Sequence, residues 1–152
     1  MGPSGAGKTT LISALTLDAT YGTSTGSVTL NGVPMTDAMF QQHCYVVKQH
    51  DAHWPYLTCR ETLSYAAQLY HTDPHELMAR VNEILRKMGL EVCAETRNAS
   101  LSGGQRRRLS IGLALLKQPT VLFLGTYLAR VFGAFCVGTF FSSHTYIFFV
   151  QR

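Results

Sequence analysis

Gly2-Pro-Ser-Gly-Ala-Gly7-Lys8-Thr9 satisfies the pattern G-x-x-x-x-G-K-[ST] at every position. No other feature constrains the fold as tightly. Glycines, lacking a Cβ, let successive backbone N–H groups turn inward around an anion. The helix that follows then adds the partial positive charge of its N-terminus. In such a loop Lys8 reaches the β- and γ-phosphates, the Thr9 hydroxyl ligates Mg²⁺, and Thr10 supports the α-phosphate side. Gly2, Ser4, Gly5, Gly7, Lys8, Thr9 and Thr10 are therefore the candidate nucleotide-binding residues. A chance glycine- and serine-rich turn would not set lysine and threonine in register at the head of a helix.

The rest of the chain reads as an α/β domain. Lys8–Leu17 should be helical, with Leu11, Ile12 and Leu15 on its buried side. Ser27-Val-Thr-Leu30 and the turn pair Asn31-Gly32 predict a strand entering a hairpin. Cys44–Val47 is an apolar run of buried-strand type, ending at Lys48-Gln49-His50-Asp51. Thr58-x-x-Glu61 is a capping box, so a helix is expected from about Cys59 to Tyr70. Asp73 as N-cap with Pro74 at the first helical position starts another, in which Leu77, Val81, Ile84, Leu85 and Met88 recur at helical spacing up to Gly89. A further helix spans about Gly104 to Leu116, Pro119 follows it, and Thr120–Leu124 is a short strand. Residues from about 55 to 117 thus form a helical subdomain inserted into the α/β core.

Charge is divided unevenly along the chain. Residues 1–95 carry six Lys/Arg and all nine Asp/Glu, whereas residues 96–152 carry seven Lys/Arg and no acid. A basic half suits nucleic acid or an anionic membrane face, but solvated helix faces explain it more simply. The four cysteines, Cys44, Cys59, Cys93 and Cys136, form no C-x-x-C pair. That spacing argues against a zinc site or a disulfide framework and fits a reducing compartment.

Leu101-Ser-Gly-Gly-Gln105, running into Arg106-Arg-Arg-Leu-Ser-Ile111, is the second strong signal. Ser102 and two glycines opening a helix make another anion-binding nest. One site has little use for two such loops, but two copies facing head to tail can each lend the second loop to the other's γ-phosphate. With both motifs present, residues 1–124 resemble the ATP-binding cassette family of transporter nucleotide-binding domains. The contexts Gly26–Pro34 and Leu57–Leu63 look most like its G subfamily, the half-size and pleiotropic-drug transporters. The resemblance implies an α/β P-loop NTPase core, with an incomplete mixed sheet and the inserted helical subdomain. It implies ATP and Mg²⁺ as cofactors, with Thr9 and Gln49 on the metal and Gln49 as the Q-loop glutamine. Leu101, Ser102, Gly103, Gly104 and Gln105 become the signature loop. The implied partners are a second nucleotide-binding domain and a membrane domain, which places the chain at the cytoplasmic face of a membrane. Lipids, sterols, pigment precursors and xenobiotics are the implied cargo. Chromosome-maintenance ATPases share both loops, but long coiled coils part them. Here Lys8 and Leu101 are 93 positions apart with no heptad pattern between, so no nucleic-acid partner is expected.

The chain departs from the family just after Leu124. Where the family carries the metal-binding Asp and the water-polarising Glu of its Walker B motif, this sequence has Gly125 and Thr126. The last acid is Glu95, so no neighbour replaces them, and efficient hydrolysis is not expected. His144 does not match the family's switch histidine. The expectation is a cassette truncated at both ends, joined to an unrelated hydrophobic tail over 125–152. A fragmentary or alternatively spliced product would account for that, and such a fragment would pair with intact cassettes without catalysis. Val131–Val150 contains no Asp, Glu, Lys or Arg. It is long enough to span a bilayer, although an unfolded, aggregation-prone tail is the favoured expectation.

Overall fold

The computed structural model describes residues 7–16, 23, 25–47, 52–70, 72–124 and 146–149. Their organising element is a three-stranded parallel sheet in the order β3–β4–β5, with β3 at Cys44–Val47, β4 at Val121–Leu124 and β5 at Tyr146–Phe149. Side chains alternate across it, as strand geometry requires. From β3 and β4, Cys44, Val46, Val121 and Phe123 face one side, and Tyr45, Val47, Leu122 and Leu124 face the other.

The first side is covered by α1 (Lys8–Leu15), by α2 (Asp37–His43), and by a small antiparallel hairpin of β1 (Thr29–Leu30) and β2 (Val33–Pro34). Leu15, Leu30, Met35 and Phe40 pack there, with the Phe40 ring stacked on Phe123 at 6.2 Å between centroids. Asn31 and Gly32 close the hairpin at φ 51° and 80°. Both angles are left-handed, as an Asn-Gly turn of type I′ demands. Two expectations fail on this side. Leu11 is exposed, while Ile12 and Leu15 are half-buried, because the helix ends at Leu15 and offers the sheet only one short stripe. The helix α2 has no counterpart in the sequence reading. Thr36 caps it, accepting from the Met39 N–H at 3.3 Å.

The second side carries the larger core, made by α3 (Cys59–Ala67), α4 (Pro74–Lys87) and α5 (Gly103–Leu116). The capping signals work as read. Thr58 accepts from Glu61 N–H at 3.1 Å while Glu61 accepts from Thr58 N–H at 2.8 Å. Asp73 accepts from Glu76 N–H at 3.1 Å. Gly89, at φ 60°, ends α4, with Leu90 N–H donating to Leu85 at 2.8 Å and Gly89 N–H to Arg86 at 3.0 Å. Those are the paired bonds of a Schellman stop. Arg80 donates to the Leu115 carbonyl at 2.9 Å and pairs with Glu83 at 2.7 Å, so α4 caps the end of α5. Lys117 likewise donates to the Cys44 carbonyl at 3.0 Å and to the Gln41 carbonyl. This ties α5 to the end of α2 and the start of β3.

The structure takes Tyr146–Phe149 of the expected tail into the sheet, so those four residues are not unfolded. The rest of 125–152 lies outside the described residues, as does His144. Among the described residues no helix is long and apolar enough to cross a membrane.

Candidate functional site

The candidate phosphate loop is described from Gly7 onward. Gly7 is the N-cap of α1 at φ 75°, a left-handed conformation that a Cβ would strain. Leu11 N–H donates to the Gly7 carbonyl at 2.8 Å, so the helix begins on Gly7 itself. The N–H groups of Lys8, Thr9 and Thr10 have no partner within the helix. No acid lies in the first turn. The positive end of the helix is thus not neutralised by an acid of its own first turn. Gly2, Ser4 and Gly5 lie outside the described residues, and the Lys8 and Thr9 side chains are not described.

The second loop is complete. Ser102 caps α5 in a full capping box, its Oγ accepting from Gln105 N–H at 3.2 Å and its own N–H donating to Gln105 Oε1 at 2.8 Å. Leu101 beside it is 3% exposed and anchors the loop in the core, whereas Ser102, Gly103 and Gly104 are exposed. A Cβ at Gly103 or Gly104 would meet nothing within 4 Å. Among the described residues, no packing requires glycine at these positions.

β3 and β4 run parallel and end in register at Val47 and Leu124. The carboxyl ends of parallel strands are where α/β folds bind ligands. Gln49, Gly125 and Thr126 follow these ends in sequence but lie outside the described residues.

Two ties that sequence reasoning missed join residues 52–58 to Asn98 and the start of α5. Asn98, 2% exposed, donates from Nδ2 to the Trp54 carbonyl at 2.9 Å and to Thr62 Oγ at 2.7 Å, while its backbone N–H donates to Leu57 at 2.9 Å. His53 Nε2 lies 3.1 Å from the Arg106 carbonyl oxygen and 3.0 Å from Ser110 Oγ. Partners 36 to 57 positions apart leave no local signal in the sequence. Asn98→Ala removes two part-buried hydrogen bonds made by a buried side chain and is expected to cost about 2 kcal/mol, read as a lower urea midpoint at unchanged slope. Cys59 is a thiol rather than a candidate nucleophile. Burial, reinforced by Cys93, pushes it up to about 12, far above the range of reactive cysteines.

The ABC transporter family profile matches residues 1–125. ABC transporter G family member 8 of Arabidopsis thaliana is 43% identical over 125 residues, a stretch covering 82% of this chain and 21% of that protein. G family member STR of Medicago truncatula is 38% identical (82% and 16% covered), and G family member 1 of Dictyostelium discoideum is 40% identical (82% and 17%). The chain thus spans about a fifth of the length of these curated relatives. In fold it is similar to cbiO1 from Clostridium perfringens, described as part of the ABC transporter complex cbiONQ. The TM-score is 0.72 at 22% identity, over 83% of this chain and 52% of that one. With the family profile spanning both glycine-rich helix starts, at Gly7 and at Ser102, the chain belongs to the ABC transporter family, as an ATP-binding domain similar to those of G-family members.

Proposed function

We propose that this chain binds Mg-ATP, pairs head to tail with a second cassette, and hydrolyses the nucleotide poorly. The observation that carries this reading is the pair of helices that open on bare glycine nests, α1 at Gly7 and α5 at Ser102, both without an acid in the first turn. Gly2, Ser4, Gly5, Gly7, Lys8, Thr9 and Thr10 would hold the phosphates. Leu101–Gln105 would present N–H groups and the Ser102 hydroxyl to the γ-phosphate bound by a partner. The open α1 terminus fits a polyphosphate, and the phosphates supply most of the oxygens that Mg²⁺ prefers. Thr9 and Gln49 would complete its shell. With Gly125 and Thr126 where the family has its acids, metal and water lack the groups that position them for transfer.

Similarity to G-family members supports a place in an exporter of lipids, sterols or xenobiotics, docked under a membrane domain at the cytoplasmic face. The intact signature loop beside the missing acids also favours a non-catalytic role, in which the chain pairs with complete cassettes and stalls them. Lys8→Ala tests the binding claim. Loss of a charge-assisted contact to phosphate is expected to weaken Mg-ATP binding by roughly 10- to 100-fold in titration calorimetry. Equal affinity in the variant would remove the phosphate loop from the account.

A further inference from the structure

His53 makes an unusual connection. A carbonyl oxygen only accepts, so its 3.1 Å approach to the Arg106 carbonyl means that His53 Nε2 carries the proton. The same N–H is shared with Ser110 Oγ at 3.0 Å, and Ser110 Oγ donates on to the Arg106 carbonyl at 3.3 Å. Arg106 lies in the first turn of α5, four residues after Ser102, and its own N–H donates to the Ser102 carbonyl at 2.9 Å. A serine that bonds back to the carbonyl one turn earlier bends a helix slightly. Here an imidazole from another segment engages that same carbonyl, so the pitch of the first turn depends on where His53 sits.

Apolar burial does not hold the His53 segment in place. The neighbouring Trp54 is 75% exposed and Tyr56 83% exposed. Its far end is tied instead by Ala99 N–H to the Pro55 carbonyl at 3.2 Å and by the Asn98 contacts. Among the described residues, His53 is the tie nearest in sequence to Gln49, four positions upstream.

We propose that His53 is a positioning residue for the signature loop. Through the Arg106 carbonyl and the Ser110 hydroxyl it fixes the first turn of α5 to the segment that follows Gln49. The N–H groups offered by Ser102–Gln105 therefore shift together with that segment. The proposal rests on the reading of Ser102–Gln105 as the loop that meets a partner's phosphate.

Sedimentation velocity of the full chain, with and without Mg-ATP, tests it. Wild type is expected to self-associate only with Mg-ATP, and Ser102→Ala to lose that association. His53→Ala is expected to weaken pairing about 10-fold, the equivalent of one well-placed hydrogen bond, with melting temperature and monomer affinity for Mg-ATP unchanged. His53→Gln, whose amide N–H can reach the same two oxygens, should restore most of it. Ser110→Ala removes one of the two acceptors and should give a smaller loss. If His53→Ala pairs like wild type while Ser102→Ala does not pair, the positioning role is wrong and the signature reading stands. If His53→Ala and His53→Gln lose pairing and melting temperature together, His53 is only structural. If wild type fails to pair, or Ser102→Ala pairs normally, the signature reading falls and this proposal with it.

Discussion

Replacing Gly125 and Thr126 together by Asp and Glu is expected to raise ATP turnover by about 10²- to 10⁴-fold, the usual contribution of a positioned general base. β4 sets the position of these two residues in the chain. All four of its residues are buried, and it lies between two parallel neighbours with its carboxyl end level with that of β3. A strand held this firmly fixes the point from which the next two residues depart. In the family an Asp and a Glu leave from that point. Here a glycine and a threonine do, and no acid follows Glu95 anywhere in the chain. On the proposed reading, β4 supplies the support and the two acids are what the site lacks. Gly125→Asp alone supplies a metal contact without a base and should recover far less. Phosphate release at saturating Mg-ATP reads the difference. A double variant as slow as its parent would mean that something other than the two acids limits turnover.

Gly112→Val is expected to destabilise the domain by about 3 kcal/mol or more, at the upper end of overpacking costs. Gly112 lies in the middle of α5 where three helices meet. A Cβ built there falls 3.0 Å from Ile84 Cγ2 and 3.5 Å from both Leu63 Cδ2 and Met88 Cγ. Ile84 and Leu63 are 1% and 0% exposed, so neither has room to retreat. Valine adds two further methyls in this gap and loses rotamer freedom within a helix. Gly112→Ala makes the useful contrast. Its gain in helix propensity, about 1 kcal/mol, offsets most of the single tight contact, so it should stay within about 1 kcal/mol of wild type. Urea unfolding of the two variants separates crowding from propensity. A valine variant as stable as the alanine one would show that the helices can spread.

The same glycine shows where sequence reasoning reaches its limit. Read locally, a glycine inside a helix is only a penalty, and its reason lies on Ile84 and Leu63, in other helices. Signals that are local were legible. The capping box at Thr58, the helix start at Ser102, the Asp73–Pro74 start, the Gly89 stop and the Asn31-Gly32 turn each form within a few residues, and each is built as its sequence dictates. That Ser102 also closes a capping box with Gln105 was found only in the structure. The buried runs at Cys44–Val47 and Val121–Leu124 announced strands, but their parallel pairing across 77 positions did not show. Helix α2 was missed because none of its residues is fully buried. Only Thr36 and Asp37 marked its start. Tyr146–Phe149 joins β4 through backbone bonds that carry no side-chain signature. Of the candidate site, the structure describes the helix starts at Gly7 and Ser102, and the binding roles of these residues belong to the proposed function. The assignments of Gln49, Gly125 and Thr126 rest on family resemblance and on their positions after β3 and β4. His53 and Asn98 emerged only from the fold.

The most direct test of the central claim is the identity of the nucleotide that the chain retains. The purified protein is incubated with Mg-ATP for an hour, separated from free nucleotide by rapid gel filtration, denatured, and its bound nucleotide resolved by ion-exchange chromatography. Binding without turnover predicts stoichiometric ATP with its γ-phosphate intact. Bound ADP with matching release of phosphate, abolished in Lys8→Ala, would contradict the loss of hydrolysis. The absence of any retained nucleotide, confirmed by calorimetry, would contradict the binding itself.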